Sequence, residues 1–266
     1  MADTPIAEAI AFDKSEGGHS HGSLLEKVAH NHLDAEADLH FLASNPVPAK
    51  QDPVLASYTA KNKEWQQAMV KQDPEFFSRW AKTQKPDILW IGCVDSRVPP
   101  NVLLGLPPGD VFVHRNIANT VIHSDLSVMS VLEYGIKYLK VTRVVLCGHT
   151  ECGGVKAANS DHQYGTIDAW LRHIRDTKRI HYKQLSTITD EKERLNRLID
   201  LHALEQCHNI AVSTPVQEAW ASGQELTVNV VVYDVGTGKL KDLGVSASKP
   251  ADISGIYKLA LGGHHH

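Results

Sequence analysis

The sequence predicts an α/β fold: a single domain with a mostly parallel central β-sheet flanked by helices, plus an N-terminal helical extension. From residue 55 onward, helical apolar periodicity alternates with short apolar strands, which is typical of α/β domains. With 266 residues and 42% hydrophobic content, the chain can bury one substantial core. A formal net charge of −4 gives no basic footprint for nucleic acid, and no apolar run is long enough to span a membrane.

Strands and helices are predicted in alternation along this domain. Strands are expected at residues 88–93, 111–114, 143–147 and 226–234, with residues 239–243 as an edge hairpin partner. Helices are expected at residues 61–83, with a break near Asp73 and Pro74, and at residues 125–139, 167–182, 190–211 and 215–222. Ligands of open parallel sheets lie just beyond the carboxyl ends of the strands, so a functional site is expected there.

The first 57 residues differ from the rest, because they are acidic and contain no arginine. Mitochondrial transit peptides are rich in arginine and poor in acids, so a cytoplasmic location is expected instead. Ser23 and Glu26 have the spacing of a capping box, which predicts one amphipathic helix in this extension. Packing against a partner subunit and exposure to solvent are both open for that helix. Residues 262–266 have the composition of a tag remnant.

Cys93, His149 and Cys152 are the most informative residues, because His149 and Cys152 form a tight H-x-x-C pair. Cysteine thiolates and histidine imidazoles are preferred zinc ligands. Structural zinc is normally held by four protein ligands, whereas catalytic zinc keeps three and leaves the fourth position open. The three residues therefore predict a catalytic metal site, provided that no fourth protein ligand closes it.

A fourth ligand is available from other thiols and imidazoles, namely Cys147, Cys207, His114, His123 and His173. Cys147 lies in an apolar strand and Cys207 in a helical pattern. Both are interpreted as packing residues, since free cysteine usually behaves as a small hydrophobic side chain. Disulfides are not expected from four cysteines without a secretory signal.

Asp95 and Arg97 follow Cys93 at alternating positions. In an extended stretch, residues two apart point to the same side, so the three side chains are expected to converge. A carboxylate beside a metal can direct the proton of a bound water, and a two-pronged guanidinium contact would hold that carboxylate ionised and oriented. The alternative is a surface ion pair of little energetic weight.

Three stretches of the chain resemble the beta-class carbonic anhydrases. They are residues 90–99 (WIGCVDSRVP), residues 108–119 (PGDVFVHRNIAN) and residues 147–155 (CGHTECGGV). The likeness runs from about residue 58 to about residue 242, and a catalytic domain is assigned to residues 58–261. The resemblance implies that Cys93, His149 and Cys152 bind one zinc ion per chain. It also implies that Asp95 and Arg97 guard the fourth zinc position.

The resemblance further implies an enzyme, a lyase that reversibly hydrates carbon dioxide to bicarbonate and a proton. Zinc-bound hydroxide, oriented by the Asp–Arg pair, would attack the carbon dioxide. A homodimer or homotetramer is implied as the assembly. Two alternatives stay open: a hydrolase of carbon disulfide or carbonyl sulfide on the same scaffold, and a non-catalytic zinc-binding module. A zinc deaminase is disfavoured, because the H-x-E and P-C-x-x-C motifs do not occur together in this sequence.

Part of the beta class also has a bicarbonate pocket that favours a closed state, in which the aspartate takes the fourth zinc position. Trp90, Arg115 and Tyr233 resemble residues of that pocket, so control by bicarbonate and pH is a hypothesis. The alternative is that Trp90 is a core residue, Arg115 pairs with a carbonyl or an acid, and Tyr233 caps a strand. Pro107 stands where plant-like enzymes have a glutamine, which favours a non-plant subgroup of fungal or bacterial type.

Overall fold

The structure, a computed structural model, describes residues 52–261. The helix predicted near Ser23 and the C-terminal residues 262–266 lie outside this range. The described residues divide between two compact units, one ending at Pro74 and one beginning at Glu75. The boundary predicted between residues 57 and 58 stays a prediction.

The described part of the first unit contains one long helix, α1, Pro53–Gln72. The Asp52 side chain accepts a hydrogen bond from the Val54 N–H, and Pro53 fits the first turn because a free N–H is not needed there. The helix therefore begins earlier than the predicted residue 61. It ends at the predicted break, since the residue before Pro74 is driven to extended backbone. No residue of α1 is buried within this chain.

The second unit is built on a five-stranded sheet with the order β2-β1-β3-β4-β5. The strands are β1 Ile88–Cys93, β2 Val111–Asn116, β3 Arg143–His149, β4 Thr227–Asp234 and β5 Lys239–Ala247. The first four strands run parallel, and β5 pairs antiparallel with β4. The predicted mostly parallel sheet with an edge hairpin is confirmed.

Helices surround this sheet. They are α2 Phe76–Trp80, α3 Pro100–Leu104, α4 Leu126–Glu133, α5 Gly153–Ala158, α6 Ile167–Ile180, α7 Tyr182–Ser186, α8 Glu191–Ala211 and α9 Thr214–Ala221. A π-helical turn, Tyr134–Tyr138, continues α4, and a 3-10 turn, Ile117–Asn119, follows β2. The sequence did not predict α3, α5 and α7, because helices this short do not display a helical period. Within residues 52–261, no helix combines the length and apolar character needed to cross a membrane.

Helix α8 forms much of the core under the sheet. The Asp190 side chain caps its N-terminus by accepting a hydrogen bond from the Glu193 N–H at 2.7 Å. The helix packs against β3 and β4 with apolar side chains such as Leu198. Two polar side chains, His202 and Gln206, are buried on the same helix. Helix α8 thus brings hydrogen-bonding groups into the core.

Strands β2 and β3 extend beyond their predicted ends. The register of β1 with β2 runs to the pair Cys93 and Asn116, and that of β3 with β4 runs to His149 and Tyr233. The Thr150 N–H then donates to the Tyr233 carbonyl at 2.9 Å. Sheet pairing therefore fixes the backbone at Cys93 and His149, which are the last residues of β1 and β3.

Candidate metal centre

The metal-ligand candidates lie where the sheet order reverses, with β2 on one side of β1 and β3 on the other. Strand ends at such a switch point open a crevice that binds ligands in α/β folds. Cys93 ends β1, His149 ends β3, and Cys152 immediately precedes α5. Their ligand atoms all lie within 4.8 Å of one another, and all three residues are buried. They are placed to hold a metal ion, and residues 52–261 contain no second such group.

The His149 ring has one partnered nitrogen and one unpartnered nitrogen. Its Nδ1 lies 2.9 Å from the Thr150 carbonyl oxygen, which can only accept, so Nδ1 carries the proton. Its Nε2 is buried and has no hydrogen-bond partner. A buried polar atom without a partner requires an explanation, and a metal ion supplies one here. A carbonyl partner at the other nitrogen is also the usual way in which a metal-binding imidazole is oriented.

The two thiols of the cluster differ in their ease of ionisation. A hydrogen bond from the Cys152 side chain lowers the pKa of Cys93, against the opposing effect of burial. The Ala118 N–H also donates to Cys93 Sγ at 3.3 Å. The pKa of Cys152 is raised, because its side chain is engaged with Cys93 and is buried. Two sulfur donors and an imidazole form a soft ligand set, which suits zinc rather than magnesium or calcium.

A glycine allows the segment around Ala118 to approach the start of α5. A Cβ atom on Gly154 would lie 2.8 Å from Ile117 Cγ2 and 3.0 Å from Ala118 Cβ. Real Cβ atoms essentially never make contacts under 3.0 Å, and a contact of 3.0 Å is unusually tight. Gly154, the second residue after Cys152, therefore allows the segment that follows β2 to lie close to the start of α5.

Asp95 and Arg97 form a two-pronged ion pair beside the cluster. Arg97 Nε donates to Asp95 Oδ1 at 2.9 Å, and Arg97 Nη2 donates to Asp95 Oδ2 at 2.7 Å. The Arg97 backbone N–H donates to the same carboxylate at 3.0 Å. These bonds hold the pKa of Asp95 well below its usual range, so the carboxylate stays ionised. Its Oδ2 lies 3.9 Å from His149 Nε2, which puts the negative charge at the metal-ligand cluster.

A family model described as "Carbonic anhydrase" matches residues 88–240, which is more than half of the chain. The chain belongs to the carbonic anhydrase family. The curated carbonic anhydrase of Emericella nidulans is 45% identical over 202 residues, which cover 76% of this chain and 89% of that protein. The carbonic anhydrase of Saccharomyces cerevisiae is 34% identical over 201 residues, covering 70% of this chain and 87% of that protein.

Solved structures of carbonic anhydrases share the fold. One of two tetrameric beta-carbonic anhydrases from Sordaria macrospora aligns with a TM-score of 0.71 and 40% identity, over 74% of this chain and 100% of that chain. A Coccomyxa beta-carbonic anhydrase in complex with acetazolamide aligns with a TM-score of 0.71 and 35% identity, over 77% of this chain and 90% of that chain. The chain is accordingly a beta-class carbonic anhydrase of the fungal, non-plant type, as predicted.

The spare thiols lie outside the metal-ligand cluster. Cys147 packs with Trp90 and Val98 in a small separate core, and burial raises the pKa of its thiol to about 12. Cys207 lies in α8, and burial raises the pKa of its thiol to about 12 as well. Both are neutral thiols at physiological pH, which agrees with their interpretation as packing residues.

The spare histidines have other surroundings. His114 Nε2 lies 3.3 Å from Asn116 Nδ2, and burial lowers the pKa of its imidazole. His123 Nε2 donates to the Asn209 carbonyl at 2.8 Å. The His173 ring lies edge-on to the Trp170 indole. None of the three belongs to the group of ligand atoms around Cys93 in the described residues.

Of the three residues predicted for a bicarbonate pocket, Arg115 and Tyr233 lie near the carboxyl ends of β2 and β4, and Trp90 lies within β1. Arg115 Nε donates to the Cys93 carbonyl at 2.9 Å, and its Nη2 donates to the Asp95 carbonyl at 2.6 Å. Trp90 is fully buried, and its Nε1–H has no hydrogen-bond partner. Tyr233 packs, partly buried, against the small core that contains Trp90.

The sequence reasoning missed two buried residues of α8, His202 and Gln206. Both bond to the segment that follows β2, which also contacts Cys93. The available signal was a polar pair four positions apart, with Leu201 and Ala203 beside His202 and with Cys207 after Gln206. That pattern marks buried polar side chains, but it does not identify their partners.

Proposed function

We propose that this chain catalyses the reversible hydration of carbon dioxide to bicarbonate and a proton, with one zinc ion bound by Cys93, His149 and Cys152. One observation carries the proposal: a buried imidazole nitrogen without a partner faces two thiols, beside a carboxylate held by a two-pronged arginine contact. Three protein ligands rather than four leave room for a reactant.

Zinc, when bound in such a site, supplies Lewis-acid chemistry by lowering the pKa of a coordinated water from 15.7 toward about 7. Asp95 is ionised, and so its oxygens can only accept hydrogen bonds. The carboxylate would therefore take a hydrogen bond from the attacking water and fix the direction of its lone pair. Arg97 prevents rotation of the carboxylate, because its Nε, its Nη2 and its backbone N–H are all engaged with it.

Burial of the three candidate ligands also limits which molecules can reach the metal position. Cys93 and Cys152 are almost fully buried, and His149 is not exposed at all. A small, linear and apolar molecule such as carbon dioxide needs little polar surface around it. Carbonyl sulfide and carbon disulfide share that shape, and a hydrolase of either is the alternative outcome of an activity test.

Stopped-flow hydration of carbon dioxide tests the proposal, with zinc content measured on the same sample. Rapid hydration at about pH 8.5, with about one zinc per chain, is the expected result. Zinc without hydration at pH 8.5 or pH 7 contradicts it and favours a sulfur-containing substrate or a non-catalytic zinc-binding module. Hydrolysis assays with carbonyl sulfide and carbon disulfide separate those two.

Bicarbonate is proposed to act at a second pocket formed by Trp90, Arg115 and Tyr233. The buried indole N–H of Trp90 lacks an acceptor, and Arg115 bonds to the carbonyls of Cys93 and Asp95. An anion that drew Arg115 away would loosen the segment carrying Asp95. The carboxylate could then leave Arg97 for the fourth metal position, which would close the site.

The comparison of Tyr233→Phe with Tyr182→Phe tests this regulation. Tyr182 is an exposed tyrosine on α7 and is the matched control. We expect hydration by the unaltered chain to fall with added bicarbonate and between about pH 8.5 and pH 7. Tyr233→Phe should weaken the bicarbonate effect and Tyr182→Phe should not. Equal inhibition of both variants, or activity that does not change between these pH values, contradicts the pocket.

The assembly is proposed to be a homotetramer or a homodimer. The support is the likeness to a protein from Sordaria macrospora that is described as tetrameric. Sedimentation equilibrium of the purified chain distinguishes the two, and a monomer contradicts both.

A cytoplasmic location is proposed from the acidic, arginine-free first 57 residues, and cell fractionation tests it.

A further inference from the structure

One face of helix α8 holds the segment that follows β2. His202 Nε2 lies 3.0 Å from the Ala118 carbonyl oxygen. Four positions along, Gln206 Oε1 accepts from the Val121 N–H at 2.7 Å, and Asn209 Nδ2 donates to the Val121 carbonyl at 3.0 Å. Residues at this spacing share a helix face, so a single rigid element fixes the segment at two backbone positions.

The held segment contacts the metal-ligand cluster through one peptide N–H. The Ala118 N–H donates to Cys93 Sγ at 3.3 Å. Ala118 has a φ of 59° and Asn119 a φ of 48°, which are left-handed values that residues with a side chain rarely adopt. Such a conformation persists only where the surroundings hold it in place. The His202 contact is on the carbonyl of Ala118, the residue whose N–H points at the sulfur.

The surroundings of His202 fix its tautomer. The Ala118 carbonyl can only accept, so the proton lies on Nε2. Nδ1 then accepts, and Thr177 Oγ1 lies 3.2 Å from it and Gln206 Nε2 3.4 Å from it. Both ring nitrogens have partners, and burial lowers the pKa of His202 to about 4. The ring is thus a neutral donor to Ala118 at physiological pH.

We infer that His202 is a positioning residue for the metal centre: through the Ala118 carbonyl it holds the left-handed turn that directs the Ala118 N–H onto the Cys93 sulfur. A hydrogen bond to a metal-bound thiolate withdraws electron density from sulfur. Two thiolates donate charge to the metal and so oppose its Lewis acidity. The N–H from Ala118 reduces this donation, and His202 is what maintains the N–H in place.

The inference rests on the proposed zinc centre, and cobalt(II) substitution tests the two separately. In the unaltered chain, a sulfur-to-cobalt charge-transfer band reports whether thiolates are ligands at all. Absence of the band contradicts the ligand set. A difference in band position between variants reports the hydrogen bond on sulfur, because a thiolate without that bond transfers charge at lower energy.

The informative pair is His202→Leu and His202→Gln. Leucine cannot donate to the Ala118 carbonyl, whereas the glutamine amide nitrogen can occupy the place of Nε2. We expect the cobalt band of His202→Leu to move to longer wavelength, and the pH midpoint of carbon dioxide hydration by its zinc form to rise by about half a pH unit. His202→Gln should return both readouts toward the values of the unaltered chain. A band and a midpoint that do not move in His202→Leu, or that move equally in both variants, overturn the inference.

Asn209→Ala is the matched control, because Asn209 holds the same segment at Val121 and not at Ala118. It should lower the melting temperature without moving the cobalt band. A band that moves as far as in His202→Leu would mean that general loosening of the segment is responsible. If His202→Leu does not fold, Thr177→Val replaces it, since it removes the donor to Nδ1 and leaves the ring in place. We expect a smaller shift in the same direction, and an unmoved band overturns the inference.

Discussion

Two buried histidines lie on neighbouring parts of this molecule, and they differ in how many of their ring nitrogens are partnered. His149, at the end of β3, has a carbonyl at Nδ1 and no hydrogen-bond partner at Nε2. His202, on α8, has partners at both nitrogens. Both are almost completely excluded from solvent. Burial therefore does not distinguish them, whereas the completeness of hydrogen bonding does.

The difference indicates which imidazole is available for a ligand. A nitrogen that already has a protein partner has its lone pair or proton engaged, and it stabilises the fold. A buried nitrogen with no partner is costly unless something outside the chain binds it. His149 thus has a nitrogen available to a metal ion, whereas both nitrogens of His202 are engaged within the protein.

The largest expected effect comes from His149→Ala, which removes the unpartnered nitrogen. We expect zinc content to fall far below one per chain and hydration of carbon dioxide to fall on the order of 10³-fold or more, because the remaining two thiolates do not complete a site. Metal analysis and stopped-flow hydration measure the two effects. The control is His173→Ala, an exposed histidine outside the cluster, which should retain metal and activity. Full zinc content in His149→Ala would contradict the comparison.

A smaller effect is expected from Asp95→Asn, which keeps the shape of the side chain beside His149 but removes its charge. The hydration rate should fall on the order of 10²-fold with zinc content unchanged, because an orienting acceptor is lost and not a ligand. The matched control is Asp87→Asn, since Asp87 also pairs with an arginine, Arg143, at 3.1 Å. This pair lies at the opposite end of β1 from the metal-ligand cluster. Loss of zinc from Asp95→Asn would mean that the carboxylate is part of the metal-binding set.

The sequence predicted that Cys93, His149 and Cys152 lie close together. The apolar runs predicted the strands, and strand ends are where ligands of parallel sheets bind, so the sequence alone predicted that Cys93 and His149 lie at the same edge of the sheet. The beginning of β1 and its end were predicted correctly, because turn residues flank a continuous apolar run. Asp95 and Arg97 do meet, but strand alternation is not the reason. A turn after β1 brings them together, in which the Arg97 N–H donates to Asp95 Oδ1 and the Val98 N–H donates to the Asp95 carbonyl.

The contact between His202 and Ala118 could not be predicted from the sequence. His202 is far in sequence from Ala118, and its partner is a backbone carbonyl that leaves no mark in the amino-acid pattern. The left-handed turn at Ala118 is equally hidden, because no glycine or asparagine occupies position 118 to indicate it. Short helices such as α3 and α5 lack a full hydrophobic period. These features arise from tertiary packing, which a local pattern does not encode.

The partnered histidine should make the fold sensitive to acid. Its pKa is lowered from 6.5 to about 4, so the unfolded chain binds a proton there that the folded chain does not. This contribution to the free energy of unfolding is complete above pH 6.5 and is lost as pH falls toward 4, by about 3 kcal/mol. Urea unfolding of the unaltered chain and of His202→Gln across this range measures it. The variant should lose less stability on acidification, and parallel pH profiles would contradict the neutral buried ring.

The smallest effect is expected from replacing a buried cysteine that lies outside the metal-ligand cluster, because the comparison between ligand and packing residues also applies to thiols. Cys207 is a buried thiol whose raised pKa keeps it neutral, and it lies outside the cluster. Cys207→Ala should reduce the free energy of unfolding by about 1 kcal/mol and leave zinc content and hydration unchanged. Chemical denaturation and metal analysis test this. Loss of zinc from this variant would contradict the distinction between metal-binding thiols and thiols that only pack in the core.

The switch point between β1 and β3 also has a consequence for how the chain acquires its activity. Cys93 and His149 belong to different strands, with β2 and α4 between them in sequence, so no short peptide of this chain contains the site. In the proposed zinc centre, the ion would close the long loop between them, and its binding free energy would become part of the folding free energy. During synthesis from the N-terminus, the ion can be captured only after β3 has been made and has paired with β1. A chain that binds the ion is therefore one in which β1 and β3 have already paired.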